Sequence, residues 1–321
     1  MVELAEQQTR EGVPNEANPY RQMGPVPDAN DENMDHCVKQ KELTAPYMQR
    51  KQQQLMESMT IEQQASFVEN MSALTWMQAI PRGKYRSMTD KQVTANLNIL
   101  MLRPRLPGEL CQCGQRNGIQ HYALCHLSGN TVSQMMHYRH NRMRDEIVRQ
   151  SNKTDDKIAA TEPRVYPPNH QNNQRADFQI CAKGGRPETH GFYGKFDLMV
   201  KAIFSPHTFH ARQQVRLQEQ QNGNNNIISR CRKEIQAALD VGYVHKEYNY
   251  RFATQAGIKV VPLIMSTSGV LHNVFYKFLK KVFPDGDQRR GLLLDMAVIL
   301  ARGRGQIYSC ATVAAQEAVN G

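Results

Sequence analysis

Two aspartates stand inside short apolar runs: Asp177 in "ADFQIC" (176–181) and Asp197 in "KFDLMVKAIF" (195–204). Each run has the length and composition of a β-strand. A carboxylate placed there loses hydration, at a cost on the order of several kcal/mol unless a charge or donor compensates. The connector "AKGGRPETHGFYG" holds four glycines and a proline, so it reads as a turn that returns the chain beside itself. The two acids can then lie side by side and share a hard divalent cation. Mg²⁺ favours one or two protein carboxylates completed by water and substrate phosphate. Pairing with a nearby arginine such as Arg175 is the structural alternative.

The chain around these runs changes texture along its length. From residue 162 onward, short apolar stretches alternate with turns, and "IKVVPLIM" (258–265) supplies a third strand. Residues 206–250 read as a long helical region broken by "QNGNNN", and helices near 269–283 and 288–302 close the sequence. Strand, strand, helix, strand, helix predicts an α/β domain with a small mixed sheet flanked by helices. Upstream, Met, Leu, Ile and Phe recur at helical spacing between 46 and 75. Thr89 is placed to cap a helix striped by Val93, Leu97, Leu100 and Leu102. "SQMMHYRHNRMRDEIVRQ" predicts a basic helix reaching about Gln150, and Asp155 and Asp156 in "SNKTDDK" read as a loop. Residues 1–45 have no apolar period and read as a disordered acidic tail. The expected organisation is therefore 1–45 tail, 46–105 helical segment, 106–150 cysteine-histidine loop and basic helix, 151–308 sheet-bearing domain, and 309–321 C-terminal tail.

Charge narrows the partner. Residues 1–50 carry nine acidic and five basic side chains, which leaves 35 basic against 21 acidic in the other 271. A body that basic favours a polyanion, because each neutralised phosphate releases condensed counterions. No run approaches 18 apolar residues, and the first twenty residues have neither a basic n-region nor an apolar h-region. The expectation is a nuclear or cytoplasmic protein, not secreted and without a membrane partner. Its seven cysteines are then thiols or ligands rather than a disulfide framework.

Three of those cysteines share fifteen residues with a histidine. Cys111, Cys113, His121 and Cys125 form C-x-C-x7-H-x3-C, with Gly114, Asn117 and Gly118 between them to permit the reversal. Four such ligands suit a tetrahedral structural Zn²⁺ site, and His126 stands beside Cys125 as an alternative fourth ligand. A redox pair and a chance cluster are the other readings. A closed four-ligand site leaves no open position, so its role would be to staple a segment too small for its own core.

Phosphodiester cleavage at an acid pair would also require a cation near the attacking water. Lys201 shares a strand with Asp197 but lies about 13 Å along it. Lys246, in the helix before the third strand, is the other candidate, although helical lysines are usually solvated.

In this order the segments resemble the C-terminal region of site-specific non-LTR retrotransposon proteins and related reverse-transcriptase-like frames. There, a CCHC zinc knuckle precedes a restriction-like endonuclease of the PD-(D/E)XK type. The similarity runs over about residues 70–308 and rests on "LTWMQAIP", "CQCG…H…C", "YRHNRMRD", "TEPRVYP", "QRADFQI", "KFDLMVKAIFSP", "KEYNYRFATQAGIKVVPLI" and "RRGLLLDMAVILARGRGQI". It implies that Asp177 and Asp197 hold a catalytic Mg²⁺, that Lys246 is the catalytic lysine, and that Glu162 is an accessory acid. It places Arg139, His140 and Asn141 on a helix near nucleic acid, with His140 alternatively a satisfied core histidine. The implied partner is DNA, cut at an insertion site, with retroelement RNA and a separate reverse transcriptase chain as further partners. Asn249 stands where the family has a second lysine, Ser266 where it has a glutamate, and 217–226 reads as an insertion. No polymerase domain precedes the knuckle in this sequence, which is the expectation for a truncated or repurposed copy. Two other readings compete with the endonuclease. One is a catalytically inactive nucleic-acid-binding remnant of the same fold; the other is an interaction module built on the acidic tail and Gln-rich helices.

Overall fold

The computed structural model describes residues 40–79, 87–101, 130–154, 156–168, 170–183, 194–204, 206–223 and 225–320. The chain divides into two compact units, Met1–Ile61 and Glu62–Gly321. Within the first, α1 (Gln40–Glu57) contains Pro46 and is closed near its end by Gln53 donating to Glu57 at 2.9 Å. It begins inside the span expected as a tail.

The second unit holds everything else. Its helical leader consists of α2 (Ile61–Ser72, with its first residue at the division), a 3₁₀ turn (Ala73–Gln78) and α3 (Asp90–Leu100). Thr89 caps α3 as expected. Its hydroxyl accepts from the Gln92 N–H, and the Gln92 side chain accepts from the Thr89 N–H, a reciprocal box that satisfies two orphan donors. The buried face of α3, however, is Gln92, Ala95 and Asn96 rather than the Val93, Leu97, Leu100 stripe. The cause lies in the last helix, described below.

The basic helix α4 (Asn130–Ser151) leads into a four-stranded sheet of order β1-β2-β3-β4. The strands are β1 (Lys157–Thr161), β2 (Phe178–Ala182), β3 (Lys195–Lys201) and β4 (Val260–Ser266). The first three are antiparallel and β4 joins β3 in parallel. That parallel step requires a crossover. It is made by α5 (Phe209–Gln221), α6 (Ile227–Asn249) and the short α7 (Arg251–Gln255). After β4 the chain forms α8 (Asn273–Val282) and α9 (Gly286–Asn320), which continues as helix through the span expected as a tail. Among the described residues, no helix is long and apolar enough to cross a membrane. The chain is thus a mixed α/β protein with a small mixed sheet flanked by helices.

Period-two alternation divides the sheet into two faces. Phe178 and Ile180 of β2, Phe196 and Leu198 of β3, and Leu263 and Met265 of β4 form one core with Met143 and Ile147 of α4. Phe275, Phe278 and Leu279 of α8 and Leu292, Met296 and Leu300 of α9 complete it. The rings of Phe178, Phe196 and Phe278 meet at centroid distances of 4.7–6.1 Å, inside the range in which aromatic pairs add to plain burial. Asp197, one residue out of phase with Phe196 and Leu198, is thereby turned to the other face. There α6 packs closely, because Gly242 has no side chain. A Cβ at that position would stand 3.3 Å from Ile264 Cγ2 and 3.6 Å from the Lys201 stem.

The last helix closes on the leader by the same device. A Cβ on Gly303 would lie 2.6 Å from Arg139 Cδ, and one on Gly305 would lie 2.9 Å from Gln92 Cα. Backbone contact this close is made by small and polar positions, which is why Gln92, Ala95 and Asn96 replace the larger residues at the interface. Next to it, Arg304 is buried and donates to Asn96 Oδ1 at 2.8 Å and Ser268 Oγ at 2.9 Å. Glu69 of α2 accepts from the Ser268 N–H at 3.3 Å, which brings a buried carboxyl to the same cluster.

Candidate active site

The site grows from strand register. β2 and β3 pair Phe178 with Phe196, and the next step along the same register brings Asp177 opposite Asp197. The Asp177 N–H donates to the Phe196 carbonyl at 3.0 Å, which fixes the first acid at the mouth of the pair. The two carboxyls are hydrogen-bonded to each other. Among the described residues neither is capped by an arginine, Arg175 included: Arg175 donates instead to the Glu162 carbonyl at 3.0 Å.

Each acid has its own compensating partner. Asp177 Oδ2 accepts from the Leu198 N–H at 2.5 Å and from His140 Nε2 at 3.1 Å. Asp197 Oδ2 lies 2.8 Å from Lys246 Nζ. Asp197 is also hydrogen-bonded to Tyr250, itself almost fully buried. Lys246 and Tyr250 are four apart, one helical turn, so the end of α6 presents both to the same carboxylate. Lys246 is therefore the lysine that reaches the acids, and the close approach allowed by Gly242 one turn earlier sets its reach.

These contacts separate the two carboxyls electrostatically. Burial pushes Asp197 up to about 6, its hydrogen bond with Asp177 adds to this, and the Lys246 charge opposes it. Burial would raise Asp177 as well. The His140 hydrogen bond, the bond to Asp197 and the Leu198 N–H outweigh burial and hold Asp177 below the ordinary carboxylate value. The pair thus titrates unequally, and a proton taken up below about pH 6 goes to Asp197 before Asp177. Burial opposes protonation of His140, but Asp177 and Asn141 overcome it and raise the imidazole. Burial and then the Asp197 charge push the Tyr250 hydroxyl up, keeping it a donor.

His140 marks a point of chemical interest. Its Nε2 is 3.1 Å from Asp177 Oδ2 and also 3.0 Å from the Leu198 carbonyl oxygen. Two oxygens therefore converge on one proton, beside a second carboxylate. Among the described residues no group of three or more His, Cys, Asp or Glu side chains is gathered to enclose an ion. The donor set here is of a different kind: two carboxylates and a backbone carbonyl, all oxygen. That set fits Mg²⁺, which keeps several waters and takes few protein ligands.

The other sequence-predicted residues fall elsewhere. The Glu162 side chain is exposed and paired with Arg144 Nη1 at 2.7 Å, although its backbone N–H donates to the Asp177 carbonyl at 2.8 Å. It adjoins the pair through its backbone and not through its carboxylate. Arg139, expected at a nucleic-acid surface, is instead 4% exposed and packed on Gly303. Burial and the neighbouring Arg304 charge lower its guanidinium to about 10. His140 joins the acid pair rather than a binding surface, while Asn141 is exposed and sits 3.3 Å from the His140 Nδ1. Asn249 is exposed, its side chain 3.4 Å from His245 Nε2. Ser266 is buried, and its hydroxyl accepts from the Ser268 and Val270 N–H groups to shape the turn after β4. Asp156 pairs with Lys157 at 2.8 Å, as suits a loop acid. Cys111, Cys113, His121, Cys125 and His126, with the expected Zn²⁺ site, lie outside the described residues, as does Asp155. Tyr250 is the site residue that the sequence pattern alone did not single out, and its signal was the four-residue spacing from Lys246.

No protein-family model matches the chain, and no curated protein matches its sequence.

Proposed function

We propose that this protein is a Mg²⁺-dependent DNA endonuclease of restriction-like, PD-(D/E)XK architecture, derived from a non-LTR retroelement. The observation that carries the reading is the hydrogen-bonded pair Asp177–Asp197 on adjacent strands with Lys246 Nζ 2.8 Å from the second acid. A buried acid pair of this kind is costly unless cations compensate, and oxygen ligands at the point now held by the His140 proton suit a dication. A bound Mg²⁺ would supply charge neutralisation on the scissile phosphate and a more acidic water. Asp177 and Asp197 would hold the ion, with the Leu198 carbonyl as a third oxygen. Lys246 would orient the attacking water and balance charge building on the phosphate. Tyr250 would fix the Asp197 rotamer, and His140 would give up its place on Asp177 when the ion enters. Cys111, Cys113, His121 and Cys125 would bind one structural Zn²⁺ and help seat the chain on DNA.

A supercoiled-plasmid nicking assay with Mg²⁺ tests the reading. Wild type is expected to nick, and Asp197→Ala to lose at least about 10²-fold, the scale of one transition-state charge contact. Wild type that fails to nick yet binds DNA with a steep salt dependence would make the protein a non-catalytic binder of the same fold.

A further inference from the structure

The opposite flank of α6 from Lys246 carries an unusual surface. Tyr248 and Phe252 are 61% and 60% exposed, and Val244, one turn earlier, is 62% exposed. Four-residue spacing aligns the three along one side of the α6–α7 junction. Arg251 lies against both rings, its guanidinium carbon 3.8 Å from the Tyr248 centroid and 4.3 Å from that of Phe252. Its Nη1 also donates to the Tyr248 carbonyl at 2.9 Å. The guanidinium is thus ordered by the chain itself, and the two rings are left in water beside it.

The local charge indicates what such a surface meets. Apart from Lys246, which faces Asp197, residues 244–259 contain Arg251 and Lys259 against a single acid, Glu247. Glu247 is engaged by the Tyr243 hydroxyl. Exposed rings interleaved with arginine, on a positively charged segment, match the way proteins hold unpaired bases, with π-faces for stacking and cations for the backbone. Duplex DNA keeps its π-faces inside the stack, so this surface selects single strands. We propose that Tyr248, Arg251 and Phe252 form a stacking platform for unpaired nucleobases, one helix diameter (about 10 Å) from Lys246. The proposal rests on the nucleic-acid part of the function above and not on cleavage.

The test is fluorescence anisotropy of the full chain with a labelled oligothymidylate, an abasic oligonucleotide of equal length and a duplex. Wild type should bind the thymidylate about 10-fold or more tightly than the abasic strand, the scale of stacking on one ring. Tyr248→Ala with Phe252→Ala should erase that difference, leave abasic binding unchanged and keep the wild-type melting temperature, since both rings are exposed. Asp197→Ala should retain the preference, which separates the platform from cleavage. Equal wild-type affinity for the thymidylate and abasic strands would overturn the proposal. So would a double variant with unchanged thymidylate affinity, which would leave the stripe to a protein partner. Absence of any nucleic-acid binding by wild type would also overturn it, and plasmid nicking by the same preparation decides the cleavage reading separately.

Discussion

Two regions of the second unit bury charge, and they do so in contrasting ways. Around Arg304, the guanidinium faces the Glu69 carboxylate and has the buried Arg139 guanidinium as a neighbour, and its hydrogen bonds go to Asn96, Asn70 and Ser268. A guanidinium does not give up its proton in proteins, so Arg304 donates to these partners at every ordinary pH. Around Asp177 and Asp197, the compensation comes from an imidazole and a lysine. An imidazole titrates near neutrality, so this compensation changes with pH. The first arrangement holds helices together. The second is the kind that the proposed metal site requires, because its partners can be exchanged.

Substitution should separate the two regions. Arg304→Met removes one partner of a buried pair and should destabilise the fold by about 3–5 kcal/mol in urea unfolding, while the residual folded protein keeps its nicking rate. A loss under about 1 kcal/mol would make the two clusters energetically alike. Lys246→Ala should lower nicking by about 10²-fold and destabilise the fold less than Arg304→Met, because the lysine is partly solvated and Asp197 can take up a proton in its place. Adding Mg²⁺ at about 100 times its Kd should stabilise wild type by about 2.7 kcal/mol, read as a rise in melting temperature. Asp177→Asn and Asp197→Asn should each abolish that rise, and Arg304→Met should keep it.

The smallest expected effect is on pH dependence without metal. Asp197 is pushed up to about 6 in the folded protein from an ordinary 3.8, so between those values the folded state holds a proton that the unfolded chain releases. Stability contributed there is present at low pH and lost as pH rises from about 4 to about 6. His140 is also raised and acts with the same sign over a higher window. Asp177 is lowered and acts oppositely, its contribution being lost only as pH falls below the ordinary carboxylate range. In a chelator, unfolding free energy of wild type should therefore decline from pH 4 to 6 more steeply than that of Asp197→Asn. Parallel curves would remove the raised Asp197 ionisation from the account.

Much of this frame was legible in sequence where the signal is local. The Thr89 cap, the limits of α4 near Gln150, and strands β2, β3 and β4 follow from capping chemistry and apolar runs. Strand β1 did not, because "KIAAT" is a five-residue edge strand whose inward positions are Lys157 and Ala159. Its place is decided by pairing with β2. The buried face of α3 departs from its apolar stripe because glycines in α9, far along the chain, admit polar contacts. The acid pair was legible, since two aspartates in adjacent strands have few destinations. Lys246 is one of two candidate cations by position, with Lys201, and only the resemblance prefers it; the role of His140 depends on how α4 crosses the sheet, which no local pattern encodes.

A lysine mounted on a helix has its reach set by how near that helix lies to the sheet. Here the spacing is granted by the missing side chain at position 242, about 6 Å along the axis from Lys246. One added carbon there would stand 3.3 Å from Ile264 Cγ2, so that either this side chain or the helix must give by a few tenths of an ångström. The chain could then fold, keep both aspartates and still lose its proposed cutting power, a vulnerability located where no reacting atom ever passes.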